Sequence, residues 1–293
     1  MIRMIDLPPS LAYYGSCAGI VQILEHNSLP LFQAHEMRDP FLPNKNSELG
    51  FECQDLFESS VKYMTAAILG KSAPRGNPNH PLQKAIMRWR GENRFADEAE
   101  IRDSLIGLMP AMVEKSFEHA KEIHQKWLAF IENKRILSFY ESYSDEGLWL
   151  SEAEHFSGAV IKLKCADGSV LEQCLPVKYS RLPSQIVGVE PTVELMVGEL
   201  NEMPTDFNSL ILAQNYQSRA QKEWRLVVDR LPDDEFCLNF SSDLIQSVYI
   251  GAMASMAEQE KIGDLIKKLG RKINLYRAVC RETCYGFRFE KLS

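Results

Sequence analysis

The chain has 293 residues, 45% hydrophobic and 25% charged, enough apolar material for one large domain or two tightly joined ones without covalent staples. Its 33 basic and 40 acidic side chains leave a formal charge of -7, a mildly acidic balance that argues against broad nucleic-acid binding. The start, MIRMIDLPPSLAYY, lacks the apolar stretch of a secretory leader, and no run of 18 apolar residues follows, so a cytoplasmic protein without a membrane span is expected. Pro8 and Pro9 exclude an early helix. LAYYG then reads as a short strand and AGIVQILEHN as a brief helix or irregular segment. Leu29, Leu31 and Phe32 read as a strand that runs into the loop MRDPFLPNKN. Over 53–69, Leu56, Val61, Met64 and Ile68 recur at helical spacing, with Gly70 as the stop. The Pro- and Gly-rich stretch 72–81 is the best linker or exposed loop, and a short helix at 82–90 follows.

Asp97 with Glu100 three residues on predicts a capped helix over 98–109. Pro110 interrupts it, and 111–132 is the longest helical segment, with Met112, Phe117, Ala120, Ile123, Trp127 and Phe130 as its apolar stripe. The periodicity changes near 135, where RILSFY reads as a strand. The runs 157–164 and 170–179 flank an Asp167–Gly168 turn and predict a hairpin. VELMVGELN has helical character. EWRLVV, FCLNF, IQSVYIG, INLYRAVC and YGFRFEKL read as strands, and 255–269 as a helix stopped by Gly270. Helices gather early and strands late. The expected fold is therefore α+β, a helix-rich first half with a mixed sheet core mainly from the second half. The expected organisation is a single domain, 1–293, carrying a mostly helical insertion at about 53–132.

Common chemical signatures are absent. No glycine-rich nucleotide loop and no Gly-x-Ser-x-Gly elbow occurs. Seven cysteines at irregular spacing do not read as a disulfide framework, and Cys280 and Cys284 lack a partner pair for zinc. His119 and His124 lie five apart on the long helix, off the spacing of a metal-binding pair, and read as surface residues. Arg75, Arg88, Arg90 and Arg94 would form a basic patch if they cluster.

Three stretches hold the candidate site residues. In MRDPF, Asp39 sets a turn, and Arg38 serves either solvent or a phosphate or carboxylate. In 136–158, Ser138, Phe139, Trp149, Glu152, His155 and Gly158 offer core, pocket wall or an acid–base pair, and Gly158 lets a backbone approach closely. In KEWR, Glu223 and Arg225 lie two apart, so on a strand they face one way, while Trp224 faces the other. They form a structural ion pair, or else Glu223 stabilises developing positive charge while Arg225 holds a phosphate.

In order along the chain, these motifs resemble a widespread bacterial family known only as domain of unknown function 2971. Its pattern opens on a Tyr-rich strand, matched by Tyr13–Tyr14, and a strand ending in Asn-Asp-Pro-Phe, matched by Arg38–Asp39–Pro40–Phe41. A Trp-containing segment closing in glycine is matched from Leu148–Trp149 to Gly158, and a Glu-x-Glu-aromatic-Arg strand by Gln221 to Arg225, followed by the segment ending at Gly251. The chain departs from the family at Arg38 for Asn, Glu152 for Tyr, Phe156 for His and Gln221 for Glu. The layout is similar to that of ADP-ribosyltransferases. That resemblance implies NAD as the bound dinucleotide, Glu223 and Arg225 as catalytic residues, and Tyr13, Arg38, Asp39 and Trp149 (or Phe139) as NAD-holding ones. It also implies a nucleotide or protein as partner and a place in bacterial conflict or phage defence. The alternative is a non-catalytic binding or interaction module, in which Glu223, Arg225 and Asp39 pair in a packed interior. Oligomeric state is not legible.

Overall fold

The computed structural model describes residues 7–37, 39–42, 48–73, 76–203, 206–231 and 236–292. In chain order the elements are β1 (Ser10–Gly15), α1 (Cys17–His26), β2 (Ser28–Pro30), α2 (Cys53–Ile68), α3 (Pro81–Gly91), α4 (Glu98–Leu108) and α5 (Pro110–Glu132). Then come β3 (Lys134–Tyr140), α6 (Glu146–Ser151), β4 (Ala159–Lys164), β5 (Leu175–Pro176), β6 (Lys178–Ser180), α7 (Val189–Met196), α8 (Phe207–Ile211), β7 (Ala213–Asn215) and β8 (Glu223–Asp229). The chain closes with β9 (Cys237–Asn239), β10 (Ile245–Ile250), α9 (Met256–Lys268), β11 (Asn274–Cys280) and β12 (Phe287–Lys291). The class is α+β, as the sequence pattern predicts.

Two compact units divide the chain: Met1–Leu42 with Asn133–Pro183 and Leu212–Ser293, and Pro43–Glu132 with Ser184–Ile211. The first unit is built on an eight-stranded mixed sheet of order β12-β11-β10-β4-β1-β3-β8-β5, in which only β10 and β11 run parallel. Alternation along the strands loads both faces. Leu11, Leu137, Phe139, Ile161, Trp224 and Val248 pack on one face with Ile20, Leu24 and Ile262 of the helices. Ala12, Tyr14, Tyr140, Val160 and Tyr249 pack on the other with Leu148 and Trp149 of α6. Serine caps start two of the helices: Ser16 accepts from the Gly19 N–H at α1, and Ser255 accepts from the Glu258 N–H at α9.

The second unit is helical. α2, α4, α5 and α7 close over Leu56, Met64, Ile101, Leu105, Val113, Phe117 and Val193. Asp97 caps α4 as read, accepting from the Glu100 N–H at 2.9 Å, but the Glu100 carboxylate turns back one residue further, to the Ala96 N–H at 2.7 Å. The insertion expected at about 53–132 falls within this unit, which also takes in 184–211.

Several sequence expectations change. The Asp167–Gly168 turn forms, with Gly168 at φ 73° and Ser169 N–H donating to Ala166 at 3.0 Å, but no hairpin follows. β4 is already paired with β1 on one edge and β10 on the other, so the chain coils through 170–173 and joins β8 instead. The 72–81 stretch is, in its described part, the exposed loop that is one of its two expected forms, and not a linker between units. Its described part belongs to the helical unit, where Asn77 N–H donates to Gly198 O at 2.9 Å and Gly76 abuts Glu199. Buried positions on α5 include Val113 and Ile131 beside the expected stripe, in which Met112 and Phe130 are only partly buried. His124 is buried rather than a surface residue, whereas His119 lies near Glu122 in solvent. Of the four arginines, Arg88 pairs with Glu92 and Arg94 lies over Trp89 and Phe95, while Arg75 is outside the described residues. All seven cysteines are free thiols. Among the described residues, no helix is long and apolar enough to cross a membrane, and no His, Cys, Asp and Glu cluster is arranged for a metal ion.

One junction depends on missing side chains. A Cβ on Gly158 would lie 2.2 Å from the Gly15 carbonyl oxygen, and one on Gly251 would lie 2.1 Å from that of Phe156. The ends of β1 and β10 and the start of β4 therefore meet backbone to backbone. Gly251→Ala is expected to destabilise by about 3 kcal/mol or more. Gly107→Ala, at a helical site with open space, is expected to stabilise by about 0.5–1 kcal/mol. Urea midpoints of both variants check this pair of expectations.

Candidate functional site

β1 and β3 are sheet neighbours through one residue pair, Ala12 with Tyr140, whereas β3 pairs with β8 along its whole length. Phe32 takes the place of β1 further along, exchanging both bonds with Ile136 at 2.8 and 3.0 Å. Antiparallel alternation then aims the backbone N–H and C=O of Ser138, between Ile136 and Tyr140, into the gap that β1 leaves. A cleft of about 630 Å³ opens there, within the range of small-molecule sites. Tyr13, Tyr14 and Gly15 of β1 line it beside Leu137, Ser138 and Tyr140 of β3, with Glu223 and Arg225 from β8.

The strand register explains which β8 side chains reach it. Ser138 faces Arg225 and Tyr140 faces Glu223 across the ladder, on the sheet face opposite Trp224 and Leu226. Glu223 and Arg225 thus share a face, as their spacing predicts, and they pair: Arg225 Nε donates to Glu223 Oε1 at 2.7 Å and NH2 to Oε2 at 3.2 Å. NH2 also reaches Asp39 Oδ2 at 3.4 Å, and Ser138 Oγ donates to Glu223 Oε1 at 2.6 Å. The relative exposures are 4% for Glu223, 1% for Arg225 and 7% for Asp39. Burial alone would lower the Arg225 pKa, but the charge and hydrogen bonds of Glu223, then those of Asp39, outweigh it and the net shift is upward. The guanidinium stays charged. Asp39 also sets the turn read from sequence, its Oδ1 accepting from Phe41 N–H at 3.0 Å.

Electrostatically the cleft is acidic. Among the described lining residues are five carboxylates, Glu36, Asp39, Glu152, Glu154 and Glu223, and one cation, Arg225. Buried phenols add donors. Burial raises the Tyr14 pKa, and burial followed by the Glu223 charge raises that of Tyr140, so both keep their protons at neutral pH. Tyr14 OH donates to Ser142 O at 2.9 Å. Cys17 opens α1 beside the cleft, where a helix N-terminus ordinarily lowers a thiol pKa. Here burial dominates and pushes it up to about 12, so this thiol keeps its proton at neutral pH.

Of the residues expected at a site, Tyr13, Asp39, Glu223, Arg225, Ser138 and Glu152 line one cleft. Trp149 does not. It is fully buried on α6, its Nε1 donating to Tyr143 O at 3.0 Å, so its ring has no face to offer a ligand. Phe139 is likewise fully buried in the core on the other side of the sheet. Arg38 lies outside the described residues, between Met37 and Asp39, which both line the cleft. His155 is exposed at φ 55°, in a left-handed turn shared with Glu154 and Phe156. Unforeseen members are Phe32, Glu36 and Glu154 and the amide-rich run from Gln214 to Gln221. Three of the residues in that run being glutamines was the sequence signal, but polar residues before a strand read equally well as solvated loop.

Arg225→Met leaves Glu223 and Asp39 as buried like charges and is expected to cost about 3–5 kcal/mol, read from urea unfolding. Arg225→Lys recovers only part, because a point charge cannot serve two carboxylates as a planar fork does. In native protein at pH 8, iodoacetamide is expected to label Cys237, Cys280 and Cys284 and to spare Cys17 and Cys174, as peptide mapping would show.

Comparison of the chain with protein-family models, curated proteins and solved structures finds no match, so the functional reading rests on this cleft.

Proposed function

We propose that the cleft breaks the nicotinamide–ribose bond of NAD and passes the ADP-ribosyl group to an acceptor, with Glu223 as the catalytic carboxylate. The observation that carries this is a buried glutamate, oriented by Ser138 and Arg225, on the floor of an acidic cleft walled by tyrosines. Glycosidic cleavage develops positive charge at C1′ of the ribose, and fixed carboxylates stabilise such charge where water is scarce. The C1′–N bond breaks and its electron pair leaves with nicotinamide, neutralising the pyridinium. A lone pair on the acceptor forms the new bond to C1′, and the acceptor's proton passes through a cleft carboxylate to solvent.

The residues fit the two halves of NAD unequally. The cationic nicotinamide riboside half suits five carboxylates, with the half-buried Tyr13 as ring wall. The pyrophosphate would meet the N-terminus of α1, which adjoins the cleft through Gly15 and Ser16 and whose dipole works there against the charges of Glu154 and Glu258. Arg225 is already shared between two carboxylates, so its role is to orient Glu223 rather than to hold a phosphate. Arg38 remains the proposed phosphate ligand. A nucleotide or protein acceptor, a cytoplasmic setting and a role in bacterial conflict or phage defence belong to the same proposal.

One observation favours a second reading, binding without turnover. Both Glu223 oxygens already accept from Arg225, one of them also from Ser138. Nicotinamide release measured by chromatography, beside calorimetric NAD binding, separates the two. Turnover is expected in the wild type and at least about 100-fold less in Glu223→Gln, with NAD binding and the melting profile retained. Binding without release selects the second reading. Neither binding nor release, or release unchanged in Glu223→Gln, overturns the proposal.

A further inference from the structure

The chain that follows Val177 changes partner. Leu175 and Pro176 zip along β8, opposite Arg225 and Trp224, and Val177 N–H donates to Glu223 O at 3.0 Å. An antiparallel pair would return a bond from Glu223 N–H to the Val177 carbonyl. Instead Glu223 N–H donates to the Tyr179 hydroxyl at 2.7 Å. By then the backbone has crossed to β7: Lys178 N–H donates to Leu212 O at 2.6 Å, and Lys178, Tyr179 and Ser180 pair in parallel with Ala213, Gln214 and Asn215.

β6 therefore grips both ends of one segment. Its backbone holds residues 213–215, and its tyrosine hydroxyl holds residue 223. From the first grip to the second, Gln214, Asn215, Gln217, Ser218 and Gln221 form an uncharged hydrogen-bonding wall of the cleft. The wall winds through a 3-10 turn at Tyr216–Gln221 and ends on Lys222 in the left-handed region at φ 49°. A non-glycine residue there holds a costly conformation, and the next backbone hydrogen bond along the chain is the one from the Glu223 amide to Tyr179.

We infer that Tyr179 is a positioning residue: its hydroxyl fixes the backbone of Glu223 and so sets where the Glu223 carboxylate meets the ligand. The phenol is half-buried, and burial first raises its pKa, so the hydroxyl keeps its proton while accepting from the amide. The inference rests on the proposed role of Glu223 for its chemical consequence, and on geometry alone for the clamp.

Tyr179→Phe removes only the hydroxyl, and two readouts test it. Exchange of the Glu223 amide, followed by NMR, is expected to quicken about tenfold, the effect of losing one neutral hydrogen bond, while amides of β4 are unchanged. The kcat for nicotinamide release is expected to fall about tenfold with KM within about twofold, since Glu223 acts on the transition state and not on ground-state binding. Unchanged exchange at Glu223 overturns the clamp whatever the enzymology shows. Quickened exchange with undiminished release in Tyr179→Phe overturns the positioning role. Quickened exchange beside a wild type that neither binds nor cleaves NAD supports the clamp and sinks the NAD reading.

Discussion

One guanidinium between two carboxylates governs this site. Arg225 is all but fully buried, and it holds Glu223 on its own strand and Asp39 from 186 residues away in the chain. Desolvating three charges is expensive, and well-packed apolar residues of the same volume often give equal or greater stability. A sheet interior gains little from such a set. The set makes sense where its members must be rigid, charged and open to a cleft. The same interaction ties the turn at Asp39–Leu42 to β8, linking the loop that carries Phe41 to the strand that carries Glu223.

The cleft itself is a consequence of sheet geometry. β3 keeps its ladder to β8 but shares one pair with β1, and Phe32 fills the vacated edge only at Ile136. The gap stays open because β1 is held elsewhere. All six residues from Ser10 to Gly15 pair with β4, and β1 ends in the side-chain-free junction of Gly15, Gly158 and Gly251. Three consecutive left-handed residues, Glu154, His155 and Phe156, feed that junction, at a cost of about 1–2 kcal/mol each, and they bring Glu154 to the cleft wall.

Much of the fold was legible because local chemistry dictates it. Asp97 and Gly270 marked helix ends that form as read. The period-2 spacing of Glu223 and Arg225 placed both on one face, and the structure pairs them. What failed was long-range. Asp167–Gly168 makes its turn, yet no local signal reveals that β4 has both edges occupied. Trp149 looked like a ligand platform because composition cannot distinguish a wall from a core; packing against Tyr14 and α6's burial decide it. His124 likewise depended on which side of α5 meets its neighbours. Tyr179 was invisible and the glutamines of the amide wall read equally well as solvated loop, since their role arises from a strand that exchanges partners between β8 and β7.

The central claim is that the buried charge set exists for the cleft and not for the fold. The most direct measurement is a triple replacement, Asp39→Asn with Glu223→Leu and Arg225→Met, followed by urea unfolding and chromatography of nicotinamide release together. The account predicts a folded protein within about 1–2 kcal/mol of the wild type, or more stable than it, that no longer releases nicotinamide from NAD. A variant that unfolds, or one that releases nicotinamide as the wild type does, would contradict it.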